Sequence, residues 1–140
     1  MSKKKIAILL PFKDHFTNSQ AGSASIWVKD FNKKSKYKDQ ISIYGNTPFL
    51  NDLIDKKKYK NITLDKINIR SKNALYVKKF IKQQALYKFN LVEIHNRPSY
   101  VHQIIESVVN IKLVLIFHNN PITLGGSTTL LERQALLKHC

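Results

Sequence analysis

Short apolar runs, each followed by a stretch of helical periodicity, recur along this chain and limit its folding more tightly than any other feature. KIAILL (5–10) is continuous and rich in branched residues, as a strand buried on both faces is. QISIYGN (40–46), NITLDKINI (61–69), LVEIH (91–95) and KLVLIFH (112–118) supply four more strands, the third alternating as an edge strand does. Between them, Ala24, Trp27, Val28 and Phe31 stand at i, i+3, i+4, i+7, one face of a helix. Val77, Phe80, Ile81 and Ala85 form a second stripe within 71–89. Val101, Ile104, Ile105 and Val108 form a third, with Pro98 in the first turn of its helix. Thr129-x-x-Glu132 matches a capping box and opens a fourth helix carrying Leu130, Leu131, Leu136 and Leu137. Strands alternating with helices specify a mainly parallel sheet covered on both faces: one Rossmann-like, three-layer α/β domain over residues 1–140.

In such a sheet, ligands bind beyond the carboxyl ends of the strands. All four glycines, Gly22, Gly45, Gly125 and Gly126, follow expected strands. The fourth and fifth strands both stop at His-Asn, in LVEIHNRP and LVLIFHNNP. If those strands are neighbours, His95 and His118 line one cleft. His118 with Asn119 and Asn120, and His95 with Asn96 and Arg97, would hydrogen-bond a sugar or pyrophosphate, and Arg97 suits bidentate contact with an anion. Equally, each pair could simply close a strand and cap loop backbone groups. The loop SQAGSAS (19–25) enters a helix near Ser23, where backbone N–H groups favour an anion and Gly22 admits close approach. An ordinary strand-to-helix turn with a serine cap explains that loop as well.

Charge narrows the partners. With 24 Lys+Arg against 9 Asp+Glu the chain carries a net charge of +15, which attracts anions such as nucleic acid, acidic lipid headgroups or phosphorylated small molecules. The lysines are dispersed, however, as they are when lysine is merely the default surface residue. MSKKKIAILLPFKDH imitates a signal peptide, but its apolar run covers only seven residues and Lys13 and Asp14 follow it. No stretch approaches the ~20 apolar residues that span a bilayer. The single cysteine, Cys140, permits no intrachain disulfide and suits a reducing compartment. A cytoplasmic protein is expected.

Several chemistries find no support. G-x-G-x-x-G and G-x-x-x-x-G-K-[ST] do not occur, nor does the G-x-S-x-G elbow of serine hydrolases. The five histidines lack metal-ligand spacing, so no metal and no cofactor is expected. Paired hydrolytic carboxylates are unsupported, because the only glutamates are Glu93, Glu106 and Glu132, and Glu93 lies inside a strand.

The order KIAILLPF, AGSASIWVKDF, NLVEIHNRPSYV, KLVLIFHNNP and LLERQALLKHC resembles the N-terminal half of a family 4 glycosyltransferase of the GT-B type. The likeness covers nearly the whole chain, best from Phe89 onward, and rests on order and spacing rather than on one motif. It implies retaining, metal-independent transfer of a sugar from a nucleotide-diphosphate donor to a glycan or lipid-linked acceptor. Two Rossmann-like domains would face each other across the cleft, with this one on the acceptor side. Gly22 and Ser23 would approach the donor phosphates and His118 would face the transferred sugar. His95, Asn96, Arg97 and Asn119 would lie in the acceptor cleft. The chain has Ala21-Gly22 where the family often has Gly-Gly, and no two glutamates separated by seven residues. The resemblance therefore implies a truncated chain without its donor-binding domain, inactive by itself. The positive charge would then serve a peripheral place on an anionic inner membrane face. The alternatives are a stand-alone basic module that binds nucleic acid, disfavoured because no stacking platform or recognition helix is evident, and a half-domain that binds a protein partner.

Overall fold

The computed structural model describes residues 3–66 and 71–140. Its centre is a five-stranded, all-parallel sheet of order β3-β2-β1-β4-β5, formed by β1 (Ile6–Leu9), β2 (Ile41–Gly45), β3 (Tyr59–Asn61), β4 (Leu91–His95) and β5 (Lys112–Ile116). Four helices connect or follow them: α1 (Ser23–Lys34), α2 (Lys72–Tyr87), α3 (Pro98–Ser107) and α4 (Leu130–His139). The domain is thus Rossmann-like and three-layered, as the alternating pattern requires.

β1 is the middle strand, and Ala7, Ile8 and Leu9 have no exposed surface at all. Because successive side chains point to opposite faces, it feeds two cores. Ala7 and Leu9 join Val92, Ile94 and Leu113 under the buried faces of α2 and α3. Ile8 joins Ile41, Ile43 and Tyr59 under Ala24 and Val28 of α1. The chain moves outward from β1 through β2 to β3, then returns through α2 to place β4 on the other side of β1. The loops after β1 and β4 therefore diverge, opening a crevice at the carboxyl ends of those two strands.

One local expectation is corrected. The third strand was expected over 61–69; it is Tyr59–Asn61, and residues 62–66 are not strand, while 67–69 lie outside the described residues. Its partner β2 stops at Gly45, so beyond Asn61 there is no ladder to join. Side chains serve instead: the Asn46 amide donates to the Ile62 carbonyl at 2.7 Å, and Asn61 Oδ1 accepts from the Thr47 N–H at 2.9 Å. The leucines of α4 do not form one buried face. At 100° per residue, Leu130 and Leu137 share a line while Leu131 and Leu136 fall far to either side of it. Only Leu136 is buried, and Leu131 and Leu137 are 78% and 84% exposed. The capping box itself is present, with Thr129 and Glu132 exchanging side-chain and backbone bonds.

Candidate functional site: a histidine pair at the β4–β5 rim

β4 and β5 pair in register, His95 opposite Ile116, so the segments that leave the two strands stay side by side. Asn96 fastens them together. It adopts a left-handed conformation, φ +57°, which asparagine tolerates better than most residues. Its N–H donates to the Ile116 carbonyl at 2.7 Å, and its Oδ1 accepts from the N–H groups of His118 and Asn119 at 3.3 and 3.2 Å. The first His-Asn pair thereby fixes the position of the second. Asn120 plays a local part, its side chain accepting from the Ile122 N–H to cap the short turn at Pro121–Thr123.

The two imidazoles meet. His95 Nδ1 lies 2.9 Å from His118 Nε2, and His95 Nε2 lies 2.6 Å from Glu93 Oε1. Glu93 and His95 are two residues apart on β4 and so share a sheet face, the one α1 covers. Trp27 of α1 packs over the pair, its ring 5.1 Å from that of His95 and 6.3 Å from that of His118. His95 is fully buried, whereas His118 is partly exposed. Burial, then the neighbouring His95, hold the His118 imidazole below the usual histidine range, with Asp14 and Glu93 opposing. His95 was expected to line the acceptor cleft directly; it has no exposed surface, and its Nδ1 faces His118 instead.

The α1 entrance differs more sharply from expectation. Gly22 and Ser23 were to present backbone N–H groups to donor phosphates. The Asp14 carboxylate already occupies that place, accepting from the N–H groups of Gly22 and Ala24 at 3.0 Å each and of Ser25 at 3.4 Å. A Cβ at Gly22 would fall 2.7 Å from Asp14 Oδ2, so the missing side chain admits the protein's own anion. A fixed carboxylate at a helix N-terminus satisfies the helix dipole and repels a phosphate from it. An open cleft of about 220 Å³ lies alongside, lined by Lys13, Asp14, Gly22, Ser23, Asn96 and Arg97 among others. Arg97 donates through its guanidinium to the Asn96 carbonyl at 2.9 Å and borders this cleft. Asn119 is exposed.

Pattern reading therefore found both histidines but missed Glu93, Asp14 and the position of Trp27 over the pair. The signal for Glu93 was available, since a Glu-x-His on a strand puts both side chains on one face. Asp14 offered none, because it caps from eight residues before Gly22 across an irregular loop. Comparison with family models, with curated proteins and with solved structures finds no match to this chain.

Proposed function

We propose that this chain is the acceptor-side half of a retaining, GT-B type glycosyltransferase, with His118 facing the sugar that is transferred. The observation that carries the reading is the contact between the two His-Asn strand ends, 2.9 Å from His95 Nδ1 to His118 Nε2, beside the crevice at the carboxyl ends of β1 and β4. A partly exposed imidazole beside asparagine amides is suited to sugar hydroxyls, which both donate and accept hydrogen bonds. In this proposal a second Rossmann-like domain holds most of the nucleotide-sugar donor, and the glycan or lipid-linked acceptor enters past Arg97 and Asn119. The carboxylate at the α1 N-terminus supports placing the donor phosphates mainly against that second domain, with Lys13 and Arg97 as the cations nearest them here.

The +15 charge fits an acceptor presented at a membrane. Among the described residues no lysine or arginine forms an ion pair with a carboxylate, so the positive field is not cancelled within the fold. No described helix is long and apolar enough to cross a membrane, which leaves attraction to anionic headgroups as the mode of attachment in this proposal. Pelleting with phosphatidylserine vesicles at physiological salt tests that element, and failure to pellet removes it.

The test of the main reading is amide chemical-shift mapping with a panel of nucleotide-diphosphate sugars and oligosaccharides. Shifts clustered on His118, Asn119 and Arg97 are expected. Shifts spread over the lysine-rich surface, with a steep salt dependence and equal response to single-stranded RNA, would instead favour the nucleic-acid alternative.

A further inference from the structure

The bonding of Glu93, His95 and His118 fixes more than position. A carboxylate can only accept, so at 2.6 Å the His95 Nε2 must carry the proton. Neutral imidazole then has a bare Nδ1, which at 2.9 Å can only accept from the Nε2–H of His118. His118 in its turn is left with a bare Nδ1. That atom has no partner among the described residues, and it is not among the buried polar atoms lacking one, so solvent reaches it.

We infer that Glu93 and His95 are positioning residues which hold His118 in the Nε2–H tautomer, presenting its Nδ1 as a proton acceptor to a neutral hydroxyl of a bound ligand. The inference rests on the reading of His118 as ligand-facing and names the chemistry it offers. A phosphate, which at neutral pH has mainly acceptor oxygens to offer, finds no donor at this nitrogen. Asp14 at the adjacent helix N-terminus disfavours it further. A sugar hydroxyl donates to Nδ1 and keeps its lone pairs for Asn119.

Protonation follows from the same chain. If both rings were cationic, two N–H groups would point at each other across 2.9 Å, so the pair takes up one proton, not two. That proton enters at His118 Nδ1. His118 Nε2–H can then pass its proton to His95 Nδ1, leaving an imidazolium between Glu93 and His118. The outward nitrogen has changed from acceptor to donor, so a hydroxyl that donated to it must turn and accept instead. The charged groups acting on His118 are Glu93 from β4 and Asp14 from the loop after β1; α1 contributes the uncharged Trp27, and Arg97 is turned to the Asn96 carbonyl.

Long-range proton–nitrogen correlation spectra of the 140-residue chain read each imidazole nitrogen directly. At pH 8 a bare His118 Nδ1 and a protonated His95 Nε2 are expected, and the opposite tautomer on either ring overturns the inference. In Glu93→Gln the proton affinity of the pair should fall about tenfold or more, since an opposite charge at this range supports the cation that strongly. An unchanged titration in a folded E93Q also overturns it; should that variant not fold, the wild-type tautomers still decide. The His118 resonances should respond to a neutral methyl glycoside and not to inorganic phosphate. A response to phosphate in its place, or to neither, refutes the ligand assignment while leaving the tautomers to be judged separately. Tautomers as expected without sugar-nucleotide binding would separate this inference from the glycosyltransferase reading.

Discussion

Removing the Asp14 carboxylate should both weaken the fold and create an anion site. Asp14 accepts three backbone N–H bonds at the first turn of α1, two of them at 3.0 Å, and its charge opposes the helix dipole. Loss of a side-chain cap costs up to about 2 kcal/mol, and loss of the favourable charge–dipole interaction a further ~0.3–1 kcal/mol. Asp14→Ala should therefore lose about 2–3 kcal/mol. With an unfolding entropy near 2.1 cal/mol/K per residue, a chain of 140 residues would melt about 7–10 °C lower. Asp14→Asn, which keeps an acceptor but not the charge, should lose roughly half as much. Urea unfolding gives the free energy, and melts in sodium sulfate against sodium chloride at matched ionic strength give the second reading. The Ala variant should recover stability with sulfate beyond whatever sulfate adds to the wild type, because an anion can now bind the freed N–H groups. A loss below about 0.5 kcal/mol, or an identical sulfate response in both proteins, would show that Asp14 does not hold this helix end.

Other perturbations have equally direct readings. Gly126→Ala should destabilise by about 2 kcal/mol or more in urea, because φ is +96° and the new methyl would collide with the Ser99 backbone; a neutral result would mean this loop sits elsewhere. Tyr76→Phe should cost about 1–1.5 kcal/mol, since the buried hydroxyl donates to the Leu10 carbonyl at 2.8 Å. Burial raises the phenols of Tyr44, Tyr59, Tyr76 and Tyr100, that of Tyr44 to about 12. The folded state then binds these protons more tightly than the unfolded state, so stability is intact below about pH 10 and falls above it. Urea midpoints that stay flat from pH 9 to 12 would contradict this. Trp27, the only tryptophan, should lose fluorescence as His118 takes up a proton, with a midpoint below the usual histidine range. His118→Gln should abolish that step, and its persistence would place the quencher elsewhere.

The fold was legible because burial on both faces leaves a direct trace: β1, β4 and β5 are short runs dense in Ile, Leu and Val, and each helix except α4 has a periodic stripe. β3 was misplaced because alternation in 61–69 describes a surface, whereas the strand's extent is set by where its partner β2 ends. The site was half legible. His95 and His118 could be paired from their identical place at two strand ends, since adjacent parallel strands bring such ends together. Glu93 was set aside as a strand residue, although its two-residue spacing from His95 makes it a partner. Trp27 looked like core, and it does pack inward, but onto the histidines. Asp14 could not be read from the pattern, because a cap supplied across a loop has no fixed spacing.

In the proposed function His118 receives a sugar at this rim. Saturation-transfer difference spectra of nucleotide-diphosphate sugars and oligosaccharides, recorded with wild-type chain and with His118→Ala, test it most directly. Transfer to sugar-ring protons is expected, and it should be lost in the variant while its amide spectrum stays folded. Transfer that is absent from the wild type, or undiminished in His118→Ala, would contradict it.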